Sequence, residues 1–249
     1  MTENAPHHHS PLAQFEVKKI VDLHIGHYDI SFTNASLYMG IAVMAIALFI
    51  ALGMRRGALV PGRFQSMVEM SYEFIANLVE DNIGHEGMQY FPLIFSLFMF
   101  VLFCNLLGMT PYSFTVTSHI IVTFALAAFI FIGVTLIAMI KHGPVAFLGS
   151  FLPAGTPLWM APMMYFIELF SYLARPVSLS VRLAANMMAG HTMLKVIAGF
   201  VIMLGFLGGW APFALLIVLS GFEIFVAVLQ AYIFTVLTCV YLNQALHLH

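Results

Sequence analysis

Charge is what this chain has least of. Of its 249 residues only 8% are Asp, Glu, Lys or Arg and 61% are hydrophobic, whereas about a quarter of a soluble domain is charged. A soluble globular fold is thereby excluded. Cysteine is also scarce: Cys104 and Cys239 each lie inside an apolar segment without metal-ligand spacing, and both read as small packing residues. No metal or other cofactor is expected. The chain lacks a G-x-x-x-x-G-K-[ST] run, so it cannot hold a nucleotide by that motif, and its one His-Glu pair, in "HEGMQ", lacks the second His of a zinc protease. A formal net charge of -2 leaves no basic footprint for nucleic acid. The alternation of barrel strands is missing too, while several apolar runs exceed the roughly 20 residues that cross a bilayer as helix. The predicted fold is an all-α integral membrane protein of about five membrane helices plus an amphipathic surface helix, in contact with the lipid bilayer.

The first 33 residues are polar, so no signal peptide is expected and 1–33 reads as an extracytoplasmic tail. Its run His7, His8, His9 has no Cys or acid beside it, which favours an incidental run over a metal site. Residues 34–249 read as a single helical membrane domain. The first span, 34–54, ends at Arg55, Arg56 and Arg63, which places that end in the cytoplasm. Lys18 and Lys19 oppose this, but they lie some 15 residues before the span and share their stretch with Glu16, Asp22 and Asp29.

Residues 64–83 carry Glu69, Glu73, Asn77 and Glu80 on one helical face and Val68, Ile75, Leu78 and Val79 on another. An acidic face gains nothing from anionic lipid, so this cytoplasmic surface helix is expected to meet a protein. Residues 88–140 form a hairpin divided by the polar knot "NLLGMTPYS" and return to Lys141 on the cytoplasmic side. Gly143 to Pro157 is a loop or a re-entrant turn.

Residues 160–245 are a long hairpin turning at Gly208-Gly209 and Pro212. Its first arm, 160–208, would span roughly 73 Å as one helix, so it either breaks or lies strongly tilted. The spans leave the C-terminus in the cytoplasm.

This hairpin holds Glu168, Arg175, Arg182, His191, Lys195 and Glu223. An arginine at mid-helix costs about 2.5 to 3.5 kcal/mol on insertion scales and is kept where it faces protein or water and performs a task. Arg182 is the foremost candidate, and the alternative of a structural ion pair finds no acid at i±3 or i±4. Arg175, before Pro176, lies nearer the cytoplasm, where it can snorkel, and Lys195 reads as a second anchor. Glu168 lies 14 residues before Arg182 and can mark a polar path from the cytoplasmic side. In a tight hairpin His191 comes to the depth of Glu223 and Gln230 to that of Arg182; a His and an acid able to pair form a proton relay. Asn186 shares the face of Arg182, and Ala184, Ala185, Ala189 and Gly190 keep the surface low enough for another helix to approach.

The stretch "RPVSLSVRLAANMMAGH", with Glu168 before it, "FEIFVAVLQAYIFTVL" after it and "NLLGMTPYS" upstream, resembles the subunit a family of F-type ATP synthases. The resemblance implies that Arg182 is a stator arginine facing the carboxylates of a c-ring, supported by Asn186 and Gln230. It further implies that Glu168, His191 and Glu223 line two aqueous half-channels, in the mitochondrial-like order of His and Glu, and that the last helices lie tilted against the ring. Arg175 and Asn105, in positions where relatives carry similar residues, are possible accessories. The implied function is a proton-channel subunit, not itself catalytic, in a bacterial inner membrane, with the c-ring and peripheral-stalk b subunits as partners.

Three other classes fit less well. A haem-binding subunit needs facing mid-membrane His, but His191 is the only clear interior one, since His119 sits near a helix end. An intramembrane metalloprotease lacks its motif, and a self-contained secondary transporter lacks an internal repeat.

Overall fold

A computed structural model describes residues 19–21, 24–25, 28–29, 31–55, 61–110, 115–152, 157 and 159–247. His7 to His9 and Arg56 lie outside the described residues, as do 111–114 and 153–156. Before the first helix the polar segment contains two short antiparallel pairs, β1 (Lys19–Val21) with β4 (Phe32–Thr33) and β2 (His24–Ile25) with β3 (Tyr28–Asp29).

Thr33 caps α1 (Asn34–Met54), its hydroxyl accepting from the Ser36 amide at 3.4 Å and satisfying one of the amides that a helix start leaves without a partner. α2 (Arg63–Ile83) buries Val68, Ile75, Leu78, Val79 and Ile83, while Glu69, Glu73, Asn77 and Glu80 stay exposed. It docks on α1, α3 and α7 rather than on a single neighbour. Gly84, at φ 85°, then turns the chain into a short 3-10 segment, His85–Tyr90, and α3 (Phe91–Gly108).

α4 (Ile120–His142) follows a 3-10 turn at Val116–Ser118, and α5 (Pro144–Gly149) occupies part of the loop between α4 and the long hairpin. That hairpin is α6 (Ala161–Gly208) and α7 (Trp210–Leu246). Helical torsions persist through Pro176; the one non-helical residue inside α6 is Gly205, at φ 62° and ψ −161°, a region that only glycine occupies readily. The first arm is therefore not broken at Arg175-Pro176, and the chain reverses over Gly205 to Gly209. The ring of Pro176 removes one amide donor, and the helical torsions continue on either side of it.

Five of the described helices are long and apolar enough to cross a membrane. Their outward faces are apolar: Ile121, Ile140, Ile202 and Met203 are each at least 80% exposed. Exposed apolar surface on this scale fits a lipid solvent, not water. The buried core joins α2, α3, α4, α6 and α7 through Ile75, Ile94, Val101, Leu183, Phe234 and Leu242 among others.

Polar ties fix the register of the bundle. Asn105 of α3, fully buried, donates from Nδ2 to the Ala227 carbonyl of α7 at 3.1 Å. At the other end His142 Nε2 lies 3.1 Å from the Leu246 carbonyl, so α4 and α7 finish on the same side. Lys141 reaches Glu86 at 2.8 Å, but both side chains are exposed and such a pair adds little stability.

Candidate functional site

The ionisable side chains of α6 and α7 collect in two groups separated by Arg182. The group nearer the α6–α7 turn is a buried acid–base pair. His191 and Glu223 are 7% and 6% exposed, and His191 Nδ1 lies 2.5 Å from Glu223 Oε1. His191 Nε2 lies 2.9 Å from the Gly108 carbonyl at the end of α3. Three helices thus build one site, and α3 ends well short of the α6–α7 turn.

Such a pair is admitted only because its neighbours are small. A Cβ on Gly190 would come within 2.6 Å of Glu223 Oε1, so glycine at that position leaves room for the carboxylate against α6. Gly190→Ala is expected to push the carboxylate off His191 and to destabilise the fold by about 1.4 kcal/mol, the equivalent of one lost hydrogen bond. Glu223→Asp in the same chain shortens the acid by one methylene and should return part of that stability. Comparison of the melting temperatures of the single and double variants in detergent micelles checks this.

Arg182 stands apart from the pair. It lies nine residues before His191 on α6, exposed, with neither hydrogen bond nor ion pair among the described residues. Asn186, one turn on, donates from Nδ2 to Gln230 Oε1 of α7 at 2.8 Å. The amide pair closes the seam between the two helices beside the arginine and leaves the guanidinium pointing outward. Next to it Ala185, Ala189, Thr192 and Met193 border an open hollow of about 660 Å³ on the outer face of α6.

The group nearer the start of α6 surrounds Glu168 and Arg175. Both line a cavity of about 210 Å³ with Tyr172, Tyr241, Gln244 and His247. Glu168 is half-buried and has no side-chain partner among the described residues. Arg175 does not snorkel freely: its Nη1 donates to Gln244 Oε1 at 2.6 Å and its guanidinium lies 5.3 Å from the ring centroids of both Tyr172 and Tyr241. Two aromatic faces and an amide carbonyl hold a planar cation well. Tyr172 is fixed in turn by its hydroxyl contact with Thr135 at 2.6 Å.

Lys195 is partly buried at the far end of α6. His119, which precedes α4, is held below its ordinary pKa range by burial, so it adds no charge to the site at neutral pH. No cluster of three or more His, Cys, Asp or Glu able to hold a metal occurs among the described residues.

Several of these contacts had no signal in the sequence. The Gly108 carbonyl is backbone, the cage of Arg175 comes from side chains 3 and up to 69 positions away, and Gly190 reads in sequence as one more small residue. Buried, Asn105 Oδ1, Glu223 Oε2 and Gln230 Nε2 remain without partners among the described residues.

The fold and the site define a multi-pass α-helical membrane protein whose longest helical hairpin carries Glu168, Arg175, Arg182, His191, Lys195 and Glu223 within apolar helices. The family described as "ATP synthase A chain" matches residues 36–243. A relative from Parvibaculum lavamentivorans, "ATP synthase subunit a", is 57% identical over 243 residues, covering 95% of this chain and 93% of that protein. The chain belongs to the ATP synthase A chain family.

Proposed function

We propose that this subunit carries protons through two offset half-channels and couples their passage to rotation of a c-ring. The observation that carries the reading is Arg182: an exposed cation without a partner among the described residues, midway along a 48-residue apolar helix. Lipid is a poor neighbour for such a group, whereas a ring of membrane-embedded carboxylates is a suitable one.

Protons enter from the outer side at His191 and Glu223, pass along the seam closed by Asn186 and Gln230, and load a ring carboxylate. After a turn of the ring they leave toward the cytoplasm through the cavity that Glu168 lines. Arg182 separates the two routes. A fixed cation favours a deprotonated carboxylate over a neutral one, so each ring site releases its proton on approach, and the same charge repels a proton crossing directly. Each proton moving through 100 mV yields about 2.3 kcal/mol, and several steps together drive ATP formation on other subunits. Asn105 holds α3 to α7 beside the entry route, and Arg175, caged at the cytoplasmic cavity, supports the exit.

The assignment of residues 34–249 as one membrane domain, with 34–54 as a span, 64–83 at the surface, 88–140 and 160–245 as hairpins, supports a periplasmic N-terminus and a cytoplasmic C-terminus in a bacterial inner membrane. The exposed acidic side of α2 suits the peripheral-stalk b subunits. The hollow beside Arg182 suits a helix of the ring, because small side chains let backbones approach closely. Cysteines introduced as Ala185→Cys and Ala189→Cys are expected to form disulfides with a cysteine on the outer face of the ring helix. The cross-link should stop ATP-driven pumping until reduced; failure of both positions to cross-link in an assembled complex would overturn this docking.

A further inference from the structure

If the channel reading holds, the pair of His191 and Glu223 still leaves open which atom takes up the travelling proton, and the end of α3 decides it. Carbonyls in the last turn of a helix have no intrahelical amide to accept from. The Gly108 carbonyl is one of these, and it lies 2.9 Å from His191 Nε2 and 3.2 Å from Thr115 Oγ1. A carbonyl oxygen only accepts. Nε2 must therefore carry its hydrogen to make this contact, and so must the Thr115 hydroxyl.

The other ring nitrogen follows from the same accounting. With Nε2 protonated, the contact of 2.5 Å between Nδ1 and Glu223 Oε1 needs one hydrogen between them, because two bare acceptors at that distance repel. The pair then exists in two forms of equal net charge, imidazole with carboxylic acid or imidazolium with carboxylate, differing only in the position of one proton. Both oxygens of the acid are not equivalent: Oε1 is occupied by His191, whereas Oε2 is buried without a partner among the described residues.

We propose that the Gly108 carbonyl is a positioning group that holds His191 permanently as an Nε2–H donor, so that transported protons are taken up and released at Glu223 Oε2 and never pass through the imidazole ring. On arrival an O–H bond forms at Oε2 while the shared proton settles on Nδ1, giving a pair of charge +1. On departure that O–H bond breaks, the proton passes on to a carboxylate of the ring and the pair returns to neutral. A relay through the ring would require Nε2 to lose its hydrogen while facing an oxygen that cannot donate one. A ring flip would break both buried bonds together.

The test uses the assembled complex in lipid vesicles with nitrogen-15 histidine, the His191 signals being identified by their loss in His191→Gln. Protonated and bare imidazole nitrogens resonate far apart. The expected result is a protonated Nε2 in all molecules, and a bare Nε2 in a substantial share of them would overturn the proposal.

A second variant probes the carbonyl. A Cβ on Gly108 would stand 2.8 Å from Thr115 Cγ2, so Gly108→Ala should displace the turn, admit the other tautomer and reduce ATP-driven pumping roughly tenfold, as for one lost hydrogen bond. Thr115→Ser in the same chain removes the obstructing methyl and keeps the hydroxyl, and it should return both the Nε2 signal and the pumping. If Gly108→Ala pumps poorly with the Nε2 signal unchanged, or leaves both as in the parent protein, the carbonyl is not the positioning group. If Glu223→Gln pumps normally, the channel reading fails together with this inference; aberrant nitrogen signals alone overturn only the inference.

Discussion

Arg182→Ala is expected to reduce ATP-driven proton pumping by on the order of a hundredfold or more, the usual cost of deleting one preorganised charge that faces a reacting group. Arg182→Lys should fare almost as badly. A guanidinium stays charged in every environment and offers a planar fork of donors to a carboxylate, whereas an ammonium is a point charge that sheds its proton readily when dehydrated. At a site flanked by apolar side chains such as Val181 and Leu183, that difference is decisive. The measurement is acidification of membrane vesicles on addition of ATP, alongside immunodetection of the inserted chain and of the assembled complex. Normal pumping by Arg182→Ala would mean that the guanidinium serves only the fold. The structure makes that outcome hard to reconcile, since Arg182 makes no hydrogen bond or ion pair among the described residues whose loss would matter to folding.

Arg182 and the pair of His191 and Glu223 differ in how legible they were. A lone arginine in a long apolar run announces itself, because the insertion cost leaves few reasons to keep it. The depth match of His191 with Glu223 follows from counting residues back and forward from Gly209, since both arms advance by 1.5 Å per residue. The same counting placed Gln230 near the level of Arg182; in the fold it bonds Asn186, one turn along from the arginine.

What escaped the sequence is what a third helix contributes. Nothing in "NLLGMTPYS" says that its Gly108 carbonyl will meet a histidine 83 positions later, because every residue carries a carbonyl and only the tertiary fold selects one. Arg175 shows the same limit. Near a membrane surface a cation usually snorkels, and the cage formed by Tyr172, Tyr241 and Gln244 exists only because α6 and α7 run side by side. The turn was legible at Gly208-Gly209, but the residue that leaves helical torsions is Gly205, which a search for paired glycines passes over.

Glu223→Gln should separate chemistry from packing at the acid–base pair. Glutamine matches glutamate in size and can still hydrogen-bond His191, so the three-helix junction with Gly108 stays filled and the assembled complex should form in normal amount. It cannot accept a proton. Loss of a group that transfers protons commonly lowers a rate by about a hundredfold to ten-thousandfold, and pumping is expected to fall into the lower part of that range. His191→Gln should behave less severely, because the carboxylate remains as an acceptor and only its partner is lost, though one member of a buried pair is then left without compensation. The order of the two variants is the informative result. A greater loss from His191→Gln than from Glu223→Gln would identify the imidazole as the group through which protons pass, and equal, complete losses with unassembled complex would mark the pair as a support for the fold.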